Sequence, residues 1–281
     1  MNLNTENNTV TSANQNSATQ PATIKGEYAS MGDLKMYYEI HGTGRSLVLL
    51  HGAFMSGTFY PVLAKGRQMI AVDLQGHGRT ADIDRSLTFE QMADDVAALL
   101  KQIKIEQTDV FGYSLGAKVG LALVIRHPEL VRRLAIYGAS YKSFEESLSP
   151  DVLEVFKQVT PETFAPKELK ESYEKLSPAP NWIGLAAKIL ESMKGFKGFS
   201  PEQLKAIKAE VFLSAGDHID VNLEHLVEMH KLIPQSQLAV FPNTDHLVMM
   251  TNPEKVLAQV REFLDNGFDT AEETKTSDDL K

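Results

Sequence analysis

The stretch Gly112-Tyr113-Ser114-Leu115-Gly116 places a serine between two glycines, directly after a short apolar segment. That segment, Asp109-Val110-Phe111, predicts a buried strand, and residues 117–127 have helical periodicity. A serine on a tight turn between strand and helix adopts a strained backbone that lifts its hydroxyl clear of the sheet. The flanking glycines leave room for strand and helix to approach the turn. The pattern therefore predicts an α/β fold and makes Ser114 a candidate nucleophile.

The composition is that of an ordinary globular protein with an acidic balance. Of 281 residues, 43% are hydrophobic and 23% charged, and the net charge is −9. The negative charge argues against nucleic acid or an anionic membrane surface as partner. The absence of cysteine excludes disulfides, thiolate metal sites and cysteine nucleophiles.

Both ends of the chain differ in composition from its centre. The first 24 residues are rich in Asn, Thr, Ser and Gln, without the basic start and apolar centre of a secretory signal. No stretch approaches the roughly 20 apolar residues that span a bilayer. We therefore expect two disordered polar tails and a cytoplasmic protein without a membrane partner.

Between the tails, short apolar runs alternate with helical segments, which is typical of a mostly parallel sheet flanked by helices. An antiparallel hairpin, with strands around 28–30 and 35–40, is expected at the start. From about residue 139 the alternation stops, and Pro-, Ser-, Lys- and Glu-rich helical segments follow without a convincing strand. We therefore predict a helical cap inserted into the sheet domain: a polar arm at 1–24, core at 25–139, cap at 140–205, core at 206–267 and an acidic tail at 268–281.

A serine nucleophile needs a base, and His246 is the candidate base. It follows a predicted strand and precedes the last predicted helix, so it can reach the carboxyl edge of the sheet. Three other downstream histidines, His127, His225 and His230, lie at a helix end or on an amphipathic helix, where solvated or capping roles are expected.

Four motifs in order make the chain resemble the α/β-hydrolase family, in particular serine esterase-like bacterial members with an inserted helical cap. The resemblance runs from about Tyr28 to Leu264. The motifs are Leu49-Leu50-His51-Gly52, Asp73-Leu74-Gln75-Gly76-His77-Gly78-Arg79, Gly112-Tyr113-Ser114-Leu115-Gly116 and Gly216-Asp217-His218.

The resemblance implies a role for each matching residue. Ser114 would be the nucleophile and His246 the general base of a catalytic triad. The oxyanion hole would use the backbone N–H groups of Leu115 and Ala53. His51 and His77 would shape loops, and no metal or organic cofactor would be needed.

The triad acid departs from the family pattern. Counting from Gly216, the position where the family has aspartate holds Ile219, and Asp220 comes one residue later. Three readings remain open: a shifted loop presents Asp220 to His246, Asp217 serves instead, or no acid completes the triad. We favour Asp220.

The sequence therefore predicts a serine hydrolase that cleaves a small-molecule ester, thioester or lactone. Phe54 and Tyr113 are candidate substrate-binding residues. Further apolar candidates for an acyl pocket are Phe59, Trp182, Met193 and Phe196. The alternative is a hydrolase-fold binding protein or weakly active pseudoenzyme, because the usual acid position is Ile219. The oligomeric state is not predicted.

Overall fold

An eight-stranded sheet forms the centre of the protein, in the order β1-β2-β4-β3-β5-β6-β7-β8. The computed structural model describes residues 26–57, 63, 66–164, 167–218 and 221–267, so that both predicted tails lie outside the described residues. The strands are β1 (Gly26–Met31), β2 (Leu34–His41), β3 (Arg45–Leu50), β4 (Arg67–Val72), β5 (Thr108–Tyr113), β6 (Val131–Tyr137), β7 (Glu210–His218) and β8 (Ser236–Asp245).

The sheet is antiparallel at one edge and parallel elsewhere. Strands β1 and β2 form the predicted hairpin, whose turn contains Gly32 with a φ of +63°. Strand β2 pairs antiparallel with β4, and β3 to β8 all run parallel. The prediction of a mostly parallel sheet with helices is confirmed. In a parallel sheet the carboxyl ends of the strands share one edge, so the loops after β3, β5 and β8 can meet.

Helices cover the sheet and follow its strands in the chain. They are α1 (Phe89–Gln102), α2 (Leu115–Arg126), α3 (Phe144–Ser147), α4 (Pro150–Lys157), α5 (Lys167–Leu176), α6 (Trp182–Gly195), α7 (Pro201–Lys205), α8 (Leu223–Leu232), α9 (Val248–Thr251) and α10 (Glu254–Asn266). Their apolar faces form two large buried clusters, because central strands such as β3 and β5 are covered on both faces, and a small third cluster includes Leu226 of α8.

Helix α1 shows how local sequence sets an element. The Thr88 side chain accepts a hydrogen bond from the backbone N–H of Gln91 and caps the helix start. The predicted apolar face is buried at Met92, Val96 and Leu99. This face packs into the same cluster as α2.

Helices α3 to α7 lie between β6 and β7 in the chain, in the segment predicted as a cap. The described part of this segment adds no strand to the sheet, and its two isolated bridges, Lys142 with Gly198 and Leu148 with Val221, lie outside the sheet. The limits 140 and 205 of the cap stay a prediction. Within the described ranges, no helix is long and apolar enough to cross a membrane.

Candidate active site

Ser114 occupies a strained turn between β5 and α2. Its φ of +54° and ψ of −113° are unusual for a residue with a side chain. Its N–H donates a hydrogen bond to the carbonyl of Tyr137, at 2.9 Å. The turn also packs closely: a Cβ on Gly116 would lie 2.1 Å from the Leu50 carbonyl oxygen, and one on Gly112 would lie 2.4 Å from the Gly116 carbonyl oxygen. Both glycines are thus required by close backbone approach.

His246 follows β8 directly and reaches Ser114 across the carboxyl edge of the sheet. Its Nε2 lies 2.9 Å from Ser114 Oγ, which is hydrogen-bond distance. The backbone carbonyl of His246 accepts a hydrogen bond from the Tyr113 hydroxyl at 2.6 Å. The structure therefore brings together the two residues that are 132 positions apart in the chain.

The two acid candidates stand differently. The Asp217 carboxylate accepts a hydrogen bond from the N–H of Thr244 at 3.0 Å. Hydrogen bonds from the backbone of Asn243 and Thr244 lower the pKa of Asp217. Asn243 has a φ of +49°, so Asp217 binds a strained segment just before His246. Asp220, with Ile219, lies outside the described residues.

The backbone N–H groups proposed for an oxyanion lie in the loops after β3 and β5. Leu115 is the first residue of α2. The Ser114 carbonyl accepts hydrogen bonds from the N–H groups of Ala117 and Lys118, which lie further along the helix. The N–H of Leu115 is thus one of the first four of a helix, which have no intrahelical acceptor. Ala53 lies in the loop closed by the hydrogen bond from the Met55 N–H to the Gly52 carbonyl.

Two buried histidines form hydrogen bonds within and between the loops after β3 and β4. His51 Nδ1 lies 2.8 Å from the Gly52 carbonyl oxygen, and its Nε2 accepts a hydrogen bond from the Leu74 N–H at 3.0 Å. His77 Nδ1 lies 2.8 Å from the Gln75 carbonyl oxygen. Burial lowers the pKa of His51 to about 4 and that of His77 to about 3, so both rings are neutral at pH 7.

A cavity of about 260 Å³ opens beside Ser114 and His246. Phe54 and Tyr113, both predicted to contact substrate, line it together with Ala53 and Leu115. Most of the remaining lining is apolar: Met55, Phe89, Phe144, Leu148, Phe156, Phe164, Leu169, Ile189, Met193, Val221, Leu247 and Met250.

The four other predicted pocket residues each have a different placement. Met193 lines the cavity. Trp182 supports it from behind, because its ring stacks on Phe54 with centroids 4.2 Å apart. Phe196 is buried against Phe89, with centroids 5.1 Å apart. Phe59 lies outside the described residues.

The described geometry of turn, histidine and cavity agrees with the comparison to protein families. Residues 47–260 match the family model described as "Alpha/beta hydrolase family". The chain belongs to the alpha/beta hydrolase family. The resemblance inferred from the four motifs is thereby confirmed.

Relatives of this alpha/beta hydrolase have several named activities. The chain is 26% identical over 270 residues to the sn-1-specific diacylglycerol lipase ABHD11 of Mus musculus, a match that covers 85% of this chain and 88% of that protein. It is 26% identical over 250 residues to a 2-hydroxy-6-oxo-2,4-heptadienoate hydrolase of Pseudomonas putida, covering 79% and 90%.

A solved structure shares the fold of this hydrolase. It comes from a study of carboxylesterases of the thaumarchaeon Nitrososphaera gargenis, with a TM-score of 0.71 and 23% identity. The match covers 86% of this chain and 98% of that chain. At this identity the likeness shows the fold alone.

Sequence reasoning missed the lysine in the cavity wall of the hydrolase, along with most of the apolar lining. Lys118 lies one turn along α2 from Ser114 and lines the cavity. The available signal was a lone lysine in the middle of LGAKVGLALVIR, a helix that is otherwise apolar up to its last residue.

The remaining histidines have partners away from the Ser114–His246 pair. His127 Nε2 lies 2.8 Å from Asp94 Oδ1, and His230 Nδ1 lies 2.9 Å from Ser236 Oγ. His225 Nδ1 lies 3.4 Å from Ser140 Oγ. Among the residues that the structure describes, no group of three or more His, Asp or Glu is arranged to hold a metal ion.

Proposed function

We propose that this alpha/beta hydrolase is a serine hydrolase that cleaves an ester, thioester or lactone through an acyl-enzyme on Ser114. The observation that carries the proposal is the 2.9 Å distance between His246 Nε2 and Ser114 Oγ, at a turn whose backbone is strained. A serine hydroxyl becomes a useful nucleophile when a base within hydrogen-bond reach accepts its proton.

In the acylation step, Ser114 Oγ attacks the substrate carbonyl carbon while His246 Nε2 accepts the hydroxyl proton. The carbonyl oxygen becomes an oxyanion, which the N–H groups of Leu115 and Ala53 would bind. Collapse of this intermediate breaks the bond to the leaving group, and His246 returns the proton to it. The positive end of the α2 dipole, at Leu115, favours the negative charge.

In the deacylation step, a water molecule attacks the ester carbonyl on Ser114. His246 accepts a proton from the water and then gives it to Ser114 Oγ as the acid product leaves. Both steps use the same donors, since each passes through a tetrahedral oxyanion.

We propose Asp220 as the acid that orients His246. Strands β7 and β8 pair in parallel as far as His218 and Asp245, so the chain leaves β7 next to the residue that precedes His246. Asp220 comes two positions after His218 in the sequence. The Asp217 carboxylate already accepts the Thr244 N–H, which favours a role in shaping the loop.

The apolar cavity suits the acyl part of a substrate, with Phe54 and Tyr113 as walls. Ester cleavage is supported by a diacylglycerol lipase among the relatives. The heptadienoate hydrolase is equally similar to this chain, at 26% identity, so the relatives alone do not select the type of substrate. Ester specificity therefore belongs to the proposal.

The test is incubation with short-chain p-nitrophenyl esters and with a fluorophosphonate probe, beside a Ser114→Ala control. We expect a burst or steady release of nitrophenol and covalent labelling of the unsubstituted protein alone. If the protein shows no labelling and releases no nitrophenol, the enzyme proposal is wrong. That result would favour the alternative of a binding protein, which is supported by Ile219 at the usual acid position.

A further inference from the structure

Lys118 places an amino group, which is a cation when protonated, in the wall of the apolar cavity. Its ammonium group donates a hydrogen bond to the Ser140 carbonyl at 2.9 Å. It also lies over two aromatic rings, 4.6 Å from the centroid of Phe196 and 5.6 Å from that of Phe89. The group therefore has partners that stabilise a cation, but none of them carries negative charge.

The lack of a carboxylate sets Lys118 apart from other partly buried lysines. Lys188 lies 2.7 Å from Asp82, and Lys142 lies 3.0 Å from Glu228. Among the described residues, no Asp or Glu forms an ion pair with Lys118. Burial lowers the pKa of Lys118 to about 7, as expected where no anion compensates for lost water. An ammonium has three N–H donors, of which the Ser140 carbonyl uses one.

The cavity thus presents an amino group whose protonated form has no anionic partner among the described residues, beside a candidate nucleophile. Lys118 and Ser114 both line this cavity, so they face the same space. The hydroxyl of Ser140 already accepts the N–H of Lys142 at 3.2 Å, and that of Ser147 donates to the Ser143 carbonyl at 2.7 Å. Among the described residues that line the cavity, Lys118 is the one lysine or arginine.

We propose that Lys118 is a specificity-determining residue that binds a carboxylate on the acyl chain of the substrate while Ser114 reacts with the carbonyl. This inference rests on the proposed acyl transfer at Ser114. Lys118 and Ser114 both line the cavity, so an acyl chain that spans the distance between them would place its terminal carboxylate at the ammonium group. The substrate class would be the monoesters of longer dicarboxylic acids.

A purely structural role for Lys118 predicts a different result. The hydrogen bond to Ser140 joins α2 to the segment after β6, and its loss alone would disturb every substrate alike. Loss of anion recognition would affect only substrates that carry the carboxylate. A Lys118→Met variant keeps the apolar stem and removes the charge, so the ratio between matched substrates separates the two roles.

The experiment compares p-nitrophenyl hydrogen adipate with p-nitrophenyl hexanoate, and the suberate monoester with the octanoate. We expect Lys118→Met to lower kcat/KM for at least one anionic ester by about tenfold or more, mainly through KM, with less than about threefold change for its neutral partner. Lys118→Arg keeps the charge and should retain part of the preference. Lys188→Met, which removes a lysine outside the cavity, is the matched control and should leave the ratios unchanged.

An equal loss for both members of each pair overturns the inference while leaving ester hydrolysis in place. If no ester is hydrolysed, the proposed function fails, and calorimetry decides the inference separately. Adipate and suberate are then titrated into Ser114→Ala and into Ser114→Ala/Lys118→Met. Binding that disappears with Lys118 supports the anion site, and absent or unchanged binding overturns it.

Discussion

The backbone carbonyl groups on the two sides of His246 both accept hydrogen bonds from tyrosine hydroxyls. The Tyr137 hydroxyl donates to the Asp245 carbonyl at 2.7 Å, and the Tyr113 hydroxyl donates to the His246 carbonyl at 2.6 Å. Tyr113 precedes Ser114 in the chain. Ser114 is thus connected to His246 in two ways: its own hydroxyl lies at hydrogen-bond distance from the ring, and its neighbour Tyr113 binds the His246 carbonyl. Such double attachment limits the loss of alignment when the acid is removed.

The first residue-scale prediction concerns that acid. We expect Asp220→Asn to slow acylation by about 100-fold or more, because an amide cannot hold His246 in the reactive tautomer; the equivalent change in a serine protease costs about 10⁴ in kcat. Asp217→Asn should slow it by less, since Asp217 binds the Thr244 N–H. Pre-steady-state nitrophenol release measures both rates.

Circular dichroism must show that both variants stay folded. If neither substitution slows acylation by more than about threefold, neither aspartate is the acid, and the reading with an incomplete triad stands.

At the scale of elements, the position of α2 depends on its contact with β3. Gly116, in the first turn of α2, approaches the Leu50 carbonyl so closely that no side chain fits. The same contact sets the distance between the loop after β3, with Ala53, and the loop after β5, with Leu115. The packing of α2 against β3 therefore also determines the geometry of the candidate oxyanion site.

We predict that Gly116→Ala lowers the free energy of unfolding by about 3 kcal/mol or more, because the new methyl group would lie 2.1 Å from a backbone oxygen that has no rotamer to change. Gly195→Ala is the matched control, since a Cβ there meets nothing within 4 Å at the end of α6. Urea unfolding measures both. Equal midpoints for the two variants would contradict the close contact.

At the scale of the whole molecule, buried ionisable groups couple stability to pH. His51 and His77 stay neutral in the folded protein down to about pH 4 and 3, whereas the unfolded chain protonates histidine below about pH 6.5. Between these values the unfolded state binds more protons, so acid favours it. Burial raises the pKa of Asp73 to about 6, so between about pH 4 and 6 the folded state binds up to one proton more at this carboxyl than the unfolded state does. This proton opposes the destabilisation caused by the two histidines.

We therefore predict that the free energy of unfolding falls as the pH is lowered from about 6.5 to about 4.5, by roughly 1 kcal/mol per pH unit for one net proton. His77→Asn removes one titrating group and should flatten the slope. His218→Asn, at a side chain that is 68% exposed, should not. Urea unfolding across this pH range measures the slope, and a constant or rising free energy on acidification would contradict the assignment.

Much of this architecture can be predicted from local patterns in the sequence. Local sequence or motif order is enough to predict the serine turn, the parallel sheet and the opening hairpin. The same information distinguishes His246 from the other histidines as the candidate base. The environment of Lys118 depends instead on Phe89, Phe196 and Ser140, which come from three distant segments. Hydrophobic periodicity in the sequence does not predict contacts between such distant segments. The order of β3 and β4, which places β4 beside β2, is likewise a result of tertiary packing.

Trp182 gives the protein a built-in optical probe. It is the single tryptophan among the 281 residues, and it is buried with its ring stacked on Phe54 at 4.2 Å. Its intrinsic fluorescence therefore depends on whether α6 rests on the loop that carries Ala53, and no label has to be attached. Far-ultraviolet circular dichroism follows all helices at once. If α6 separates from the core before the rest of the protein unfolds, the emission changes before the ellipticity is lost.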